Sequence, residues 1–284
     1  MSLYDGKILE QETLEYSISH SLLFPQKDSN GNRIMLIVDE EKQVGMAFLR
    51  YSNSNEAQQA HVFPNTAEAQ SIVALLSSST YDYEINADTG IVTGYQFQEN
   101  LQLGFVFSLE EHWRISLSDK EQIIAMQPLM DTQIHSAIRL THDNTAMPKY
   151  INRNLIAVAT LTSEDDTESI NVYLLDSVTG AIIHHVYHPH TSGPLHMVLC
   201  ENFLIYTYWN KKTYRTEVSV VEMYEKEVDW NSTSFSSFSS VRPEVYQQSF
   251  EVNFYVTSLG ITQTRRGITT HNILCKVVHL RCNY

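Results

Sequence analysis

An all-β fold, a partial β-propeller of four-stranded antiparallel sheets with one short helix, follows from three features of the 284-residue sequence. Apolar residues alternate at the period of strands almost throughout. A strand, acidic turn, strand unit recurs, and its recurrences fall near the spacing of propeller blades, roughly 40 to 45 residues each. The same pattern is compatible with a stacked β-sandwich.

The strand runs come in order: "RIMLIVD" (33 to 39), "YDYEIN" (81 to 86), "LIAVATL" (155 to 161), "NVYLL" (171 to 175), "FLIYTYW" (203 to 209) and "TEVSVVEM" (216 to 223). In "YDYEIN", Tyr81, Tyr83 and Ile85 take one face while Asp82 and Glu84 take the other, the alternation of a half-buried strand. β-Branched and aromatic residues reinforce each run. The aromatic strand "FLIYTYW" reads as sheet core. One segment predicts a helix, "NTAEAQSIVALL" (65 to 76), where Asn65 caps the first turn and Glu68 completes a capping box. "SDKEQ" (118 to 122) has the same spacing, and a single turn before another strand explains it equally well.

The recurring unit is clearest at "INADTGIVTGYQF" (85 to 97) and "LLDSVTGAIIHHVY" (174 to 187). Each places Asp at the turn entry, Asp88 and Asp176, where a carboxylate accepts amides further along. Each has Gly at the exit, Gly90 and Gly180, where positive φ costs little. These glycines lie 90 positions apart, about two blades. Weaker versions occur at "YDGKILEQ" (4 to 11) and "IVDEEKQVGMAFL" (37 to 49), where Asp39 stands 49 positions before Asp88. The length accommodates about five or six blades.

With 43% hydrophobic and 18% charged residues the chain is globular rather than disordered. Its 33 acidic residues against 19 basic ones give a net charge of -14, which excludes a phosphate-neutralising stripe and with it nucleic acid as a partner. The longest basic groupings are Lys211-Lys212 and Arg265-Arg266, and the arginine pair reads as a solvated strand edge. The opening "MSLYDGKILEQETLEYSISH" has no basic start and apolar run, so no secretory signal is expected in it. No run approaches the ~20 apolar residues of a membrane span. Cys200, Cys275 and Cys282 form no CxxC pair and read as buried small hydrophobes.

The most suggestive chemistry is "HHVYHPHTSGPLH", with His184, His185, His188, His190 and His196. Strand alternation sends His184 and His185 to opposite faces. His188, His190 and His196 remain as a geometric possibility for zinc, but the nearest carboxylates in sequence, Asp176 and Glu201, are distant for orienting imidazoles. Loop and strand packing is therefore the reading, with no metal site. No G-x-S-x-G elbow occurs, and Ser19 beside His20 is a chance neighbour in a Ser-rich chain, so no catalytic residue is assigned.

From Tyr81 onward, "YDYEINADTGIVTGYQF", "KYINRNLIAVAT", "INVYLLDSVTGAIIHHVYHPHTSGPLHMVLCENFLIYTYWN", "RTEVSVVEMYE" and "QTRRGITTHNIL" occur in an order that resembles the membrane-proximal lumenal part of the subunit 1 family of the endoplasmic reticulum membrane protein complex. The resemblance covers most of residues 81 to 275 and is densest from Lys149 to Glu225. It implies quinoprotein-like blades over 1–148 and a strand-rich, family-specific region over 149–284. It implies no catalysis, no cofactor and no metal, but a scaffold role on the lumenal side of the endoplasmic reticulum membrane, in a complex that inserts transmembrane segments. The implied partners are the other subunits and client membrane proteins, with membrane association only through those subunits or a C-terminal anchor.

Two departures stand out: the family's signal and upstream propeller are missing, and "KVVHLRCNY" stands where further strands and an anchor would continue. A fragment, a truncated splice product or an incomplete gene model of a longer subunit is the expectation. "NST" at Asn231 is the sole N-x-S/T sequon and sits in the polar loop "NSTSFSSFSS", so a lumenal home implies a glycan on Asn231. Two alternatives stand beside the scaffold. One is a quinoprotein-like dehydrogenase with pyrroloquinoline quinone and calcium, for which no adjacent cysteine pair and only Trp113, Trp209 and Trp230 are present. The other is a stand-alone protein-interaction propeller.

Overall fold

The computed structural model describes residues 17–27, 33–49, 62–63, 81–99, 107–117, 120–226 without 133, 135, 144, 165 and 166, 235–263 without 240, and 271–278. The helix expected at 65–76, the turn at 4–11, Trp230, Asn231, Arg265, Arg266 and Cys282 lie outside the described residues. Among the described residues every regular element is a strand. The chain divides into two compact units, Met1–Asp82 with Tyr95–His112, and Tyr83–Gly94 with Trp113–Tyr284.

In the first unit, β1 (Ile18–Lys27), β2 (Arg33–Asp39) and β3 (Gln43–Leu49) form an antiparallel meander, and β4 (Val62–Phe63) pairs with β3. The run "RIMLIVD" is β2 from end to end. Leu36, Ile37 and Val38 are consecutive and all buried, so both faces of this strand are covered. The β2–β3 turn closes with the Lys42 amide donating to the Asp39 carbonyl at 3.2 Å, and Lys42 itself takes φ of 64° where other hairpins place glycine.

β5 (Tyr81–Asn86), β6 (Ile91–Glu99) and β7 (Phe107–Ser116) are neighbours in the order β7-β6-β5, and the second unit takes from them the hairpin end, Tyr83–Gly94, and the stretch from Trp113 onward. Two four-stranded antiparallel sheets follow. The first has the order β13-β12-β11-β8, from β8 (Glu121–Pro128), β11 (Leu155–Glu164), β12 (Thr167–Asp176) and β13 (Ile182–Pro189); the short pair β9 (Ile138–Leu140) and β10 (Ala146–Pro148) interrupts it in sequence. The second has the order β14-β15-β16-β17, from β14 (Thr191–Cys200), β15 (Phe203–Asn210), β16 (Arg215–Tyr224) and β17 (Glu244–Val252). A pair, β18 (Tyr255–Ile261) and β19 (Ile273–Val278), closes the described chain. Glu121 of "SDKEQ" opens β8 rather than completing a capping box; its carboxylate accepts the hydroxyls of Thr160 at 2.6 Å and Tyr173 at 3.1 Å.

Period-2 alternation distributes the core. On β11, Ala157 and Ala159 face the second sheet while Ile156 and Val158 face the β5–β6 hairpin. On β12, Ile170, Val172 and Leu174 take the first side and Leu175 the second, packed there with Val92 and Leu117. The β13-β12-β11-β8 sheet is thus buried on both faces, as a sheet between two neighbours must be. The small side chains of Ala157 and Ala159 leave room for Tyr206 and Tyr208, which are among the largest fully buried residues.

Trp113 anchors the opposite face. Its indole N–H donates to the Ser177 carbonyl at 3.2 Å, and the ring lies against two glycines. A Cβ on Gly94 would come within 2.0 Å of the indole, and one on Gly180 within 2.6 Å. Gly94 therefore has no side chain because a tryptophan ring fills that space.

Candidate functional site

The polar groups that sequence singles out fall at three places: the hairpin turns, the histidine strand β13 and the β14–β15 turn. At the turn after β12, Asp176 Oδ1 accepts the amides of Val178 at 2.9 Å and Thr179 at 3.1 Å, while Oδ2 accepts the Asn152 side-chain amide at 2.8 Å. The Gly180 amide donates to the Asp176 carbonyl at 2.8 Å, with Gly180 at φ 71°. Both carboxylate oxygens are thereby committed to the fold, which is the hairpin-forming role.

The equivalent turn at 86–90 corrects the sequence reading. Asn86, not Asp88, is the entry residue: its Oδ1 accepts the amides of Asp88 and Thr89, both at 3.1 Å. The side-chain carbonyl of asparagine serves as well as a carboxylate, and the register is fixed by Thr89 and Gly90, which match Thr179 and Gly180. Asp88 occupies the exposed apex. A third copy appears at Asn210, which accepts from Lys212 at 2.8 Å and Thr213 at 3.3 Å. Tyr214, at φ 54°, stands there where the others have glycine, and this substitution hides the repeat in the sequence.

The histidines do not converge. His184 and His188 point with Val186 toward the second sheet, whereas His185 and Tyr187 lie on the other face. His185 stacks on Tyr173 with ring centroids 4.4 Å apart, and its Nε2 meets Asn171 Oδ1 at 3.0 Å. His188 is enclosed between the sheets: its Nε2 meets the Tyr206 hydroxyl at 2.7 Å and its ring packs 4.3 Å from that of Tyr208. Burial pushes the His188 imidazole down to about 4, partly offset by the Glu217 carboxylate. His184 is also lowered, chiefly by burial. His190 sits at φ 56° in the β13–β14 turn, which breaks the extended path needed to place it beside His188. His196 pairs with Thr207 on the far face of β14, opposite to Met197 and Leu199. Among the described residues no three His, Cys, Asp or Glu side chains gather as metal ligands would.

Behind His188 the hydrogen bonds continue into the second sheet. Tyr208 donates to Glu217 Oε2 at 2.6 Å, and Asn210 Nδ2 donates to Glu217 Oε1 at 2.6 Å. "FLIYTYW" is sheet core, with Leu204, Ile205, Tyr206 and Tyr208 all buried, and Trp209 stacks on Tyr255 at 4.8 Å. Burial raises the tyrosine hydroxyls of this seam well above their ordinary range, so they remain protonated donors.

A buried ionic group at the β14–β15 turn escapes sequence reading. Glu201, only 4% exposed and at φ 47°, receives Lys149 Nζ at 2.6 Å on Oε2 and faces His271 Nε2 at 3.3 Å on Oε1. His271 Nδ1 meets the Thr262 carbonyl at 2.7 Å. The group ties the β18–β19 pair to the end of β14, and its members are too far apart in sequence to suggest one another. Cys200 beside it is fully buried, its thiol pushed up by burial and 3.4 Å from the Thr132 hydroxyl. Cys275 departs from the buried reading: it is exposed on β19, whose partner β18 covers one edge only. Both are free thiols.

Stacked four-stranded antiparallel sheets, with their turn carboxylates and buried histidines bonded to the protein itself, define the class as a β-propeller protein. A family model described as "ER membrane protein complex subunit 1, second beta-propeller" matches residues 1–279, and the chain belongs to that family. ER membrane protein complex subunit 1 of Xenopus laevis is 30% identical over 276 residues, covering 95% of this chain and 26% of the relative. The Gallus gallus protein of the same name is 29% identical over 266 residues, 92% of this chain and 25% of the relative. That of Schizosaccharomyces pombe is 26% identical over 185 residues, 62% of this chain and 20% of the relative. The chain spans about a quarter of the length of the first two. Among the described residues no helix is long and apolar enough to cross a membrane.

Proposed function

We propose that this chain is a non-catalytic scaffold element of the endoplasmic reticulum membrane protein complex. It holds other subunits, and through them client membrane proteins, on the lumenal side while the complex inserts transmembrane segments. The observation that carries the reading is the match of residues 1–279 to the second propeller of subunit 1. The geometry supports it: both carboxylate oxygens of Asp176 are engaged within the fold, by the amides of Val178 and Thr179 and by Asn152. His188 is half-buried between the sheets, bonded to Tyr206 and packed on Tyr208. Rigid sheets whose turn carboxylates are bonded within the fold suit a positioning role.

Affinity purification of the tagged chain from detergent-solubilised native membranes tests this reading. Recovery of the other subunits of the complex, together with a glycosidase-sensitive mobility shift that disappears in Asn231→Gln, is the expected result. A chain that enriches none of those subunits is a stand-alone interaction propeller, and the proposal fails. Subunits recovered without a glycan would leave the scaffold role standing and overturn the lumenal placement.

A further inference from the structure

The buried Glu201 carboxylate is positioned by the backbone around it. Glu201 and Asn202 form the turn between Cys200 and Phe203, which pair with each other. Glu201 takes φ of 47° there, a left-handed backbone that tight hairpins usually give to glycine, asparagine or aspartate. Glutamate is not favoured by that backbone, which points to its side chain as the reason it is there. Asn202, itself buried, fixes the turn to β16: its side-chain amide donates to the Met223 carbonyl at 2.8 Å, and its carbonyl accepts the Met223 amide at 2.8 Å.

Lys149 is seated on the same stretch of β16. It bridges to Tyr224, and the amide of the next residue, Tyr150, donates to the Met223 carbonyl at 3.1 Å. The Lys149 ammonium is thereby delivered to Glu201 Oε2 at 2.6 Å. His271 arrives from a third element. It stands just before β19, where the Thr262 amide donates to the Asn272 carbonyl at 2.9 Å and His271 Nδ1 donates to the Thr262 carbonyl at 2.7 Å, so that Nε2 faces Glu201 Oε1 at 3.3 Å. The three residues occupy equivalent places, the connections from β8 to β11, from β14 to β15 and from β18 to β19, each joining the first two strands of its sheet. A carboxylate this buried is held only while its charge is compensated. Without the ammonium most of that compensation is gone, and turning toward water takes the carboxylate away from His271.

We propose that Glu201 is a shared keystone: through its carboxylate, the Lys149 ammonium sets how firmly the β18–β19 pair is held to the end of the β14–β17 sheet. A change at Lys149 then loosens a strand pair on which its own backbone does not lie. Lys149 and His271 are positioning residues that act through one carboxylate, and their contributions to that docking are coupled rather than additive.

Native-state hydrogen exchange on the full chain tests the coupling, because local opening of the β18–β19 pair is read separately from unfolding of the whole unit. Lys149→Met is expected to speed exchange of the β18–β19 amides by roughly fivefold or more, with the β11 amides still slower than they are. Lys149→Arg, which keeps the charge, is expected to hold the parent rates. With His271→Gln already in place, Lys149→Met is expected to leave the β18–β19 rates where His271→Gln puts them; loss of the Thr262 contact is common to both arms and cancels. Where Lys149→Met brings β11 to the same rate as β18–β19, the unit itself is unfolding, and Lys149→Gln, which keeps a donor toward Glu201, replaces it with the same expectations. Unchanged β18–β19 exchange without the ammonium overturns the proposal, whatever happens to overall stability. So does an acceleration by Lys149→Arg equal to that by Lys149→Met, or an effect of Lys149→Met as large with His271→Gln as without it.

Discussion

Trp113→Ala lowers the unfolding free energy of the second unit by about 3 kcal/mol or more, because it removes the ring that fills the space beside Gly94 and Gly180 and leaves the Ser177 carbonyl without its indole donor. Gly94→Ala, which adds one methyl, is expected to cost about 2 to 3 kcal/mol, since that carbon would stand 2.0 Å from Trp113 Nε1 and either the ring or β6 has to move. Gly180→Ala combines the same clash with a left-handed backbone at φ 71°. Gly260→Ala is the control: a Cβ there meets nothing within 4 Å and the residue has no positive φ, so no destabilisation follows. Urea midpoints for the four variants check the series, and equal midpoints for Gly94→Ala and Gly260→Ala would remove the tryptophan seat from the account.

His188 makes the second unit acid-labile. An unfolded imidazole titrates near 6.5, whereas between the sheets His188 is held down to about 4. A group depressed in the folded state stabilises the fold fully above its unfolded value and loses that contribution as pH falls toward its folded value. The window is therefore pH 6.5 down to about 4, and the loss is at most about 3 to 4 kcal/mol at ~1.4 kcal/mol per unit. Glu217 is the carboxylate that offsets the burial, and His184, lowered for the same reason and adjacent to His185, adds slope of the same sign. His188→Gln retains a partner for the Tyr206 hydroxyl and removes the titration. The difference in denaturation free energy between the parent and His188→Gln, measured from pH 7 to pH 4, is expected to narrow as pH falls. A constant difference across that range means His188 does not carry the effect.

Strand positions are legible where one or both faces are apolar. "RIMLIVD" and "YDYEIN" coincide with β2 and β5, and "LIAVATL", "FLIYTYW" and "TEVSVVEM" fall within β11, β15 and β16. Asp82, assigned to the solvent face by alternation, is buried at 6%, because periodicity cannot tell that the second face of β5 is covered at that point. β17 escapes because "EVYQQSFEV" is mostly exposed and has no apolar face to reveal its period. The turn repeat is clearest where glycine closes it; the weaker copy read at 37–49 is the β2–β3 turn, with Lys42 in the left-handed position, and Tyr214 takes the same backbone without the sequence mark. The histidine run is conspicuous in sequence yet dispersed in space, since alternation on β13 and the turn at His190 send its members to different environments. Conversely the Lys149, Glu201 and His271 group is compact in space and invisible in sequence.

A scaffold needs a part that does not yield, and that part is the sheet of β8, β11, β12 and β13, covered by the β5–β6 hairpin on one face and by the β14–β17 sheet on the other. Native-state hydrogen exchange measures this directly. The amides of Leu155 to Thr160 and Ile170 to Leu175 are expected to exchange only through global unfolding, and those of β17 and the β18–β19 pair to exchange faster by local opening. Equal, fast exchange in β11 and β17 would contradict the doubly covered sheet and, with it, the rigid frame on which the scaffold reading depends.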